Sequence, residues 1–397
     1  MERLFKLFRQ NIKRTSPDFK RSLINKIDWS EQLIAIVGAR GSGKTTLMFQ
    51  YIKENLPLDN RILYVSLDDI YFYENRLVDL AEKFIEYGGK YLFIDEVHKY
   101  PTWSIEVKNL YDNYPDLKIV ISGSSILEIF KSYADLSRRI IVYHLPEMSF
   151  REFVEFHTKV KLSSYSLNEI IENHTDITNE VCLHIEPLPL FKKYLKYGSY
   201  PFFAKNLNRY HEKLRQIIET VLDIDIPQTK NIEIANISKM KRLLGIISAS
   251  SPFKPNISNI AKVLDVHRNT LLQYIHHLMK AEIIYLLPSD KKGDGQLTKP
   301  EKIYLHNSNI MYAMNEDPDI GNIRETFFVN QITMSGNTLK YPYKGDFIIN
   351  DNYIFEIGRK GKKFKQIADV KNSFVVADDI KYSFNNKLPL WLFGMMY

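Results

Sequence analysis

The stretch LIAIVGARGSGKTTLMFQYIKENL, Leu33 to Leu56, constrains the fold of this chain more than any other segment. It begins as a short apolar run, continues through a glycine-rich loop and ends with helical periodicity, so it predicts a strand, a loop and a helix. The loop GARGSGKT matches the phosphate-binding pattern G-x-x-x-x-G-K-[ST] in full. Three further apolar runs, RILYVSLDD, YLFIDE and LKIVISGSS, alternate with helical patterns. This alternation predicts a parallel sheet with helices on both faces.

The glycine-rich loop predicts a nucleotide site. Its glycines let the backbone curl so that N–H groups surround a phosphate, and the following helix adds its positive end. Lys44 is expected to reach the β- and γ-phosphates, and the Thr45 hydroxyl to bind Mg²⁺. The predicted cofactors are therefore ATP or ADP and Mg²⁺. The nucleotide-binding residues expected in the loop are Gly38, Ala39, Arg40, Gly41, Ser42, Gly43, Lys44, Thr45 and Thr46.

Two acids end the run YLFIDE and complete the predicted site. Asp95 is expected to orient the Mg²⁺ water shell, and Glu96 to polarise the attacking water, which favours hydrolysis. For Glu96 the alternative is a solvated loop residue. Ser122 and Ser124, at the end of LKIVISGSS, are expected to contact the γ-phosphate or the attacking water, with a plain turn as the alternative.

The segments GARGSGKTTL, YLFIDEVHKYPTW, ISGSS and SRRIIVYHLPEMSFREF resemble the bacterial and archaeal AAA+-type ATP-binding proteins. The resemblance covers nearly the whole chain. It implies an ATPase followed by a winged helix and a C-terminal domain of unknown function related to nucleases. Arg139 stands where the family has an arginine, with Arg138 in place of the family's glycine. Two roles stay open for Arg139: a finger on a neighbour's γ-phosphate in a homo-oligomer, or a structural salt bridge.

The segment from Asn256 to Leu287 predicts a helix-turn-helix followed by a strand, because apolar residues recur at helical spacing on both sides of a turn. The second helix is expected to present Arg268, Asn269, Gln273 and His277 outward, and three of these residue types pair with base edges. A basic wing would follow and contact phosphates. The predicted partner is double-stranded DNA; a protein-contact module and a merely solvated face are the alternatives. The predicted nucleic-acid contacts are Arg268, Asn269, Gln273, Lys291 and Lys292.

The C-terminal part predicts strands at KIYLH, GDFIIN, YIFEI, SFVVA and LPLWLF. Nucleases of the PD-(D/E)XK type place an acid on one strand and E-x-K on the next, so that glutamate and lysine share a face and the acids hold Mg²⁺. Glu325, Asp346 and Glu356 supply the acids of a vestigial metal site, but Gly358 stands at the lysine position. The sequence therefore predicts a degenerate nuclease fold whose cleavage activity is doubtful. A solvated basic loop after Glu356 is the alternative.

The predicted fold class is α/β, with a P-loop NTPase parallel sheet, a helical subdomain, a winged helix and an α/β nuclease-like domain. The single cysteine excludes an internal disulfide and favours a reducing cytoplasm. A net charge of +7 permits an acidic partner. No run approaches the roughly 18 consecutive apolar residues of a membrane span. The predicted segments are 1–30 (basic, helical), 31–145 (ATPase core), 146–238 (helical), 239–300 (winged helix) and 301–397 (nuclease-like).

The predicted function is Mg²⁺-dependent ATP binding and hydrolysis by an AAA+-type ATPase, coupled to DNA engagement. Two alternatives stay open. One is a slow nucleotide-controlled switch that acts through a protein partner. The other is an ATP-dependent defence nuclease.

Overall fold

The protein is described from a computed structural model of the 397-residue chain. The structure describes residues 1–16, 18–123, 136, 138–227, 234–289 and 300–397. The chain divides into two compact units. The first comprises residues 1–147 and 225–231, and the second comprises residues 148–224 and 232–397. The finer division into five segments stays a prediction.

A five-stranded parallel sheet with the order β2-β3-β4-β1-β5 forms the centre of the first unit. The first strand is a continuous apolar run and is buried at all five residues, as expected for a central strand of a parallel sheet. The predicted parallel sheet is thus confirmed. The strands are β1 (Leu33–Val37), β2 (Ile62–Ser66), β3 (Tyr91–Asp95), β4 (Lys118–Gly123) and β5 (Ile141–His144).

Hydrophobic cores lie on both faces of this sheet, because alternate residues of β1 point to opposite sides. Leu33 and Ala35 enter one core, and Ile34 and Ile36 enter the other. The amphipathic N-terminal helix buries its apolar face in the same cores and so packs on its own protein. The helices of this unit are α1 (Glu2–Arg14), α2 (Lys44–Asn55), α3 (Leu77–Glu86) and α4 (Trp103–Asn113).

Helices dominate the beginning of the second unit. Two of them start with capping boxes, in which a serine hydroxyl and a glutamate three residues later satisfy each other's backbone N–H groups: Ser149 with Glu152, and Ser166 with Glu169. The family-like sequence S-F-x-E is therefore a helix start. The helices are α5 (Phe150–Thr158), α6 (Leu167–His184), α7 (Pro187–Tyr197) and α8 (Tyr210–Thr220), and a π-helical turn, Val221–Asp225, follows.

Three helices and a two-stranded antiparallel sheet come next, and they include the helix, turn, helix and strand predicted from Asn256 to Leu287. The turn between the second and third of these helices contains Asp265 with a φ of 51°. The elements are α9 (Ile234–Ser250), α10 (Ile257–Leu264), α11 (Arg268–Lys280), β6 (Ile284–Leu287) and β7 (Lys302–Leu305).

The C-terminal part of the second unit contains a mixed five-stranded sheet with the order β12-β11-β10-β9-β8. Strand β10 runs parallel to β11 and antiparallel to β9. The elements are α12 (Ser308–Met314), α13 (Ile320–Met334), β8 (Leu339–Lys340), β9 (Phe347–Ile349), β10 (Tyr353–Gly358), β11 (Ser373–Ala377) and β12 (Lys387–Pro389).

One sequence expectation about strands was wrong, and one strand was not predicted. The predicted strand LPLWLF is a strand only as far as Pro389, and Leu390–Met395 is a buried 3₁₀ helix. Proline lacks the N–H that would continue a strand ladder. Strand β5 was not predicted, because its four residues are only partly buried or exposed and give a weak pattern. No helix in the described parts of the chain is long and apolar enough to cross a membrane.

Candidate functional site

The phosphate-binding loop lies between β1 and α2, as the sequence predicts. Gly43 precedes the helix with a φ of 103°, a left-handed conformation that glycine adopts without strain. Gly38 has a φ of 149°, and a Cβ atom there would collide with the carbonyl oxygen of Leu145. The first glycine of the pattern is thus required by the close approach of the chain that follows β5.

Lys44 is buried and directed into the loop. Its Nζ donates hydrogen bonds to the carbonyl oxygens of Gly38 at 2.8 Å and Ala39 at 2.9 Å. The ammonium group therefore lies on the concave side of the backbone that would surround a phosphate. Arg21 supports the loop from outside, because its guanidinium donates to the Ser42 carbonyl at 2.6 Å. Sequence reasoning missed Arg21, which lies outside every recognised motif.

Asp95, at the end of β3, connects the loop to the sheet. Its Oδ2 accepts hydrogen bonds from Thr45 Oγ1 at 2.6 Å and from the Tyr64 hydroxyl at 2.8 Å. Its Oδ1 accepts from the Ser122 hydroxyl and, at 3.0 Å, from the Glu96 N–H. The two residues predicted to hold Mg²⁺ are thus in direct contact, and the carboxylate is fixed by three neighbouring elements.

The hydroxyls around Asp95 have roles that differ in part from those expected. Ser122 is fully buried and donates to Asp95, so it orients this carboxylate, and a contact with nucleotide or water stays a prediction. Ser124 lies outside the described residues. Thr46 is exposed. Tyr64 was missed by the sequence reasoning, although a hydroxyl-bearing residue in an apolar strand next to β3 is a usable signal. Burial and the adjacent Asp95 raise the pKa of the Tyr64 phenol.

Glu96 is not a freely solvated loop residue. Its backbone is left-handed, with a φ of 52°, and its side chain is only 21% exposed. The Glu96 Oε2 lies 3.3 Å from Nε2 of His98, a buried histidine. The predicted water-polarising carboxylate therefore has a specific partner, which the sequence did not identify.

Asp225 is a second residue that the sequence did not identify. Its side chain is 2% exposed and faces three cationic or ionisable groups within the first unit. Arg40 of the phosphate-binding loop lies 3.1 Å away, Lys99 3.2 Å and His98 3.8 Å. Burial alone would raise the pKa of Asp225, but the hydrogen bond from His98 and the charges of Arg40, His98 and Lys99 together lower it to about 2.

Arg139 forms a bidentate ion pair with Asp112 of helix α4. Its Nε lies 2.8 Å from one carboxylate oxygen and its second nitrogen 3.1 Å from the other. This geometry corresponds to the structural salt-bridge alternative. A finger role, which would require the pair to open, stays a prediction.

In the second unit, helix α11 exposes Arg268, Asn269 and Gln273, in agreement with the prediction for its outward face. The same prediction was wrong for His277, which is buried with a relative exposure of 6%. His277 falls between the apolar positions Tyr274 and Leu278, on the inward side of the helix. Lys291 and Lys292 lie outside the described residues.

The three predicted C-terminal acids each have protein partners. Glu325 Oε2 lies 3.1 Å from Lys302 Nζ and accepts from the Tyr304 hydroxyl at 2.8 Å. Asp346 accepts from the Ile357 N–H at 2.7 Å. In the described part of the chain, no three His, Cys, Asp or Glu side chains are arranged to hold a metal ion. Lysines also pair with Glu325 and Glu356, and the vestigial metal site stays a prediction.

Glu356 is paired with a lysine that the sequence did not assign. Lys362 Nζ lies 2.5 Å from Glu356 Oε1. The stem of Lys362 fills the space beside Gly358, where an added Cβ would lie 2.8 to 2.9 Å from three Lys362 side-chain carbons. The chain after β10 folds back, so an ammonium group reaches Glu356 although the strand itself carries glycine.

Comparison with known proteins agrees with the geometry of the first unit. Residues 30–154 match the family model described as an AAA domain, and residues 188–319 match a domain of unknown function, DUF8612. The segment that resembles an AAA domain thus includes the whole parallel sheet and the phosphate-binding loop. Over 392 residues the chain is 25% identical to an uncharacterized protein of Methanocaldococcus jannaschii, covering 89% of this chain and 82% of that protein.

Two solved structures are distant neighbours. One is a Walker-type ATPase of Pyrococcus abyssi, 11% identical with a TM-score of 0.41, covering 76% of this chain and 99% of the other. The other is AMPPCP-bound DnaA of Aquifex aeolicus, 17% identical with a TM-score of 0.28, covering 70% of this chain and 88% of the other.

Proposed function

We propose that the first unit binds ATP or ADP with Mg²⁺ and hydrolyses ATP. The observation that carries this proposal is the 2.6 Å hydrogen bond between Thr45 and Asp95, which joins the phosphate-binding loop to the acidic end of β3. A hydroxyl and a carboxylate so placed are suitable oxygen ligands for Mg²⁺ beside a triphosphate.

Each residue of this site has a separate role in the proposal. Lys44 neutralises phosphate charge from inside the loop, and Thr45 and Asp95 would hold Mg²⁺. Bound Mg²⁺ would stabilise the charge that develops on the phosphate oxygens. Tyr64 and Ser122 fix the Asp95 carboxylate. Glu96 orients and polarises the attacking water, and Asp95 Oδ1, which accepts from the Glu96 N–H, keeps its backbone in place.

Steady-state ATP hydrolysis by the full chain, with Lys44→Ala and Glu96→Gln as matched variants, tests the proposal. We expect Lys44→Ala to lose nucleotide binding, because it removes the charge that faces the phosphates. Glu96→Gln keeps the size and shape of the side chain but not its charge, so it is expected to bind ATP and lose turnover. Tight ATP binding by Lys44→Ala, or a wild-type rate for Glu96→Gln, would contradict these roles.

We further propose that hydrolysis is coupled to engagement of double-stranded DNA in a reducing cytoplasm. Support comes from helix α11, whose exposed Arg268, Asn269 and Gln273 are residue types that pair with base edges. Helices α9 to α11 and strands β6 and β7 follow the order expected of a winged helix. Stimulation of ATP hydrolysis by duplex DNA that weakens with salt is the expected result, since phosphate contacts release counterions.

Matched variants on α11 sharpen this test. Arg268→Ala and Gln273→Ala are expected to reduce DNA stimulation, whereas a change at exposed Glu219 of α8 leaves it intact. Slow turnover that does not respond to DNA would instead favour a nucleotide-controlled switch that acts through a protein partner. In a homo-oligomer, a role of Arg139 as a finger predicts that Arg139→Ala lowers the turnover number, and a purely structural role predicts no such loss.

A second candidate, ATP-dependent cleavage of nucleic acid, is favoured by one observation. Lys362 brings an ammonium group to Glu356 in place of the lysine missing at Gly358. Nicking of plasmid DNA in Mg²⁺ or Mn²⁺ that is lost in both Asp346→Ala and Lys362→Ala would support it. Cleavage that survives both variants, or no cleavage by the wild type, would reject it.

A further inference from the structure

Asp225 stands at the centre of a buried polar cluster in the first unit. Its carboxylate faces Arg40, Lys99 and His98, and His98 also faces Glu96. The side chains of Asp225 and His98 are 2% and 1% exposed. A buried carboxylate is stable only with such partners, because its desolvation is costly. These partners therefore hold the Asp225 carboxylate in its buried position.

We propose that Asp225 is a positioning residue for ATP hydrolysis. It fixes the position of Glu96 through His98 and the position of the phosphate-binding loop through Arg40. The inference rests on the proposed ATPase function of the same site and adds a residue that no motif contains. One ring nitrogen, His98 Nε2, lies 3.3 Å from Glu96 and 3.8 Å from Asp225. The orientation of the imidazole, and hence the position of Glu96, depends on both carboxylates.

The backbone of Glu96 makes this dependence strong. Glu96 has a φ of 52°, a left-handed conformation that strains any residue other than glycine. Such strain persists only where the surroundings hold it, and it is typical of functional sites. The contacts that hold Glu96 include its N–H bond to Asp95, the bond from the Lys99 N–H to its carbonyl oxygen and its side-chain contact with His98. Without Asp225, the contact with His98 loses its anchor.

Arg40 gives Asp225 a second effect on the site. The pair joins residues 185 positions apart, so a segment distant in sequence completes the loop that surrounds the phosphates. Arg40 has no counterpart in the pattern G-x-x-x-x-G-K-[ST], which leaves this position free. The cluster thus fixes the loop and the water-polarising glutamate together, and a displacement of Asp225 would disturb both.

The test is the kinetics of Asp225→Asn, with Asp223→Asn as the matched control. Asp223 lies two residues earlier on the same π-helical turn and forms an exposed pair with Lys241. We expect Asp225→Asn to lower the turnover number by up to about 100-fold, because a misplacement of about an ångström can cost that much. Affinity for ADP, which needs no attacking water, is expected to change less than turnover. Asp223→Asn is expected to match the wild type.

Two further variants show whether Asp225 acts through His98. Asp225→Glu keeps the charge and is expected to recover part of the lost turnover. The double variant His98→Gln with Asp225→Asn is expected to turn over about as slowly as the slower single variant, because residues that act as a unit are not additive. If the fold-losses of turnover in the two single variants multiply in the double variant, Asp225 and His98 act independently, and the proposal that Asp225 acts through His98 is overturned.

The outcomes separate this inference from the proposed function. Hydrolysis by the wild type that is lost in Lys44→Ala, together with normal turnover in Asp225→Asn, overturns the inference alone. No hydrolysis by the wild type overturns both. Retained ADP binding shows that a variant is folded. If Asp225→Asn does not fold, His98→Gln and Asp225→Glu provide the same comparison, and normal turnover in both would reject the role.

Discussion

Two aspartates, one in each unit, have opposite pKa shifts. Asp225 is buried among Arg40, His98 and Lys99, and its pKa falls to about 2. Asp346 is partly buried, and its pKa rises to about 6. Burial disfavours the ionised form in both. The neighbouring charges decide the sign, because cations surround Asp225 whereas the carboxylates Glu356 and Glu325 face Asp346.

The two units use buried charge in different ways. The first-unit cluster is compensated, so Asp225 stays ionised at all physiological pH values and acts as a permanent anchor. The second-unit cluster has more carboxylate than it can neutralise, even though Lys302 lowers the pKa of Asp346 somewhat and Lys362 pairs with Glu356. We therefore expect the first arrangement to stabilise the fold and the second to cost stability at neutral pH.

The largest expected effect is destabilisation by Asp225→Asn. Removing one partner of a buried ion pair leaves the other charges uncompensated and typically costs about 3 to 5 kcal/mol. Hydrogen exchange of the amides in β1 and β3 would report the loss in the first unit. Asp112→Asn, which breaks the exposed pair with Arg139, is the control and should have little effect. Equal effects of the two variants would mean that the Asp225 cluster is no tighter than a surface pair.

The opposite sign is expected for Asp346→Asn. The folded pKa of about 6 lies above the ordinary value of 3.8, so stability is greatest below pH 3.8 and is lost as the pH rises through 6. A shift of 6 − 3.8 = 2.2 pKa units corresponds to about 3 kcal/mol at neutral pH. The amide keeps an acceptor for the Ile357 N–H and removes the charge. Exchange of the β10 amides should therefore slow at pH 7.5.

A measurement of Asp346→Asn near pH 4 is the control for this prediction. Near pH 4 the wild-type carboxyl is already protonated in the folded state, so Asp346→Asn should give little gain there. If the variant is equally stabilised at both pH values, or destabilised at pH 7.5, then charges other than Lys302 and Lys362 compensate the Asp346 carboxylate.

An acid titration distinguishes the two aspartates, because only Asp225 is expected to lose a stability contribution, of about 2 kcal/mol, below pH 4. The depressed pKa of Asp225 contributes stability that is present above pH 3.8 and is lost as the pH falls through 2. The difference, 3.8 − 2 = 1.8 units, corresponds to roughly 2 kcal/mol. We expect the first unit of the wild type to lose stability between pH 4 and pH 2 more steeply than Asp225→Asn does. Parallel curves would contradict the low pKa.

The sequence predicts the parts of the site that depend on local spacing. Lys44 and Thr45 follow from the loop pattern, and Asp95 and Glu96 follow from their place at the end of an apolar strand. The five parallel strands were predicted except β5, whose exposed residues carry no strong pattern. These predictions succeed because strand, loop and helix are each encoded within a few residues.

The rest depends on contacts between residues far apart in the chain. Asp225 meets Arg40 across 185 positions, and Tyr64 meets Asp95 across two neighbouring strands. Lys362 reaches Glu356 beside Gly358 only because the chain folds back after β10. No spacing rule encodes such a return, so the sequence predicted an empty lysine position where the structure has an ammonium group.

The smallest expected effect on stability is that of removing the Lys362 charge, which tests whether the second unit's carboxylates are compensated. Lys362→Met keeps the stem beside Gly358 and removes the charge from Glu356, whose side chain is 5% exposed. The unpaired carboxylate should cost about 1 to 3 kcal/mol, and Lys360→Met, at an exposed position of the same loop, should cost little.

Divalent cations distinguish the two explanations of that loss. If the ammonium occupies the place of a cation, Mn²⁺ added without nucleotide should protect the β10 amides of Lys362→Met and leave those of the wild type unchanged. Protection of the wild type would mean that Glu356 binds a metal despite its lysine, and the second unit would then resemble a working metal site. Protection of neither would mean that Glu356 and Lys362 form only a structural pair, as compensated as Asp225 in the first unit.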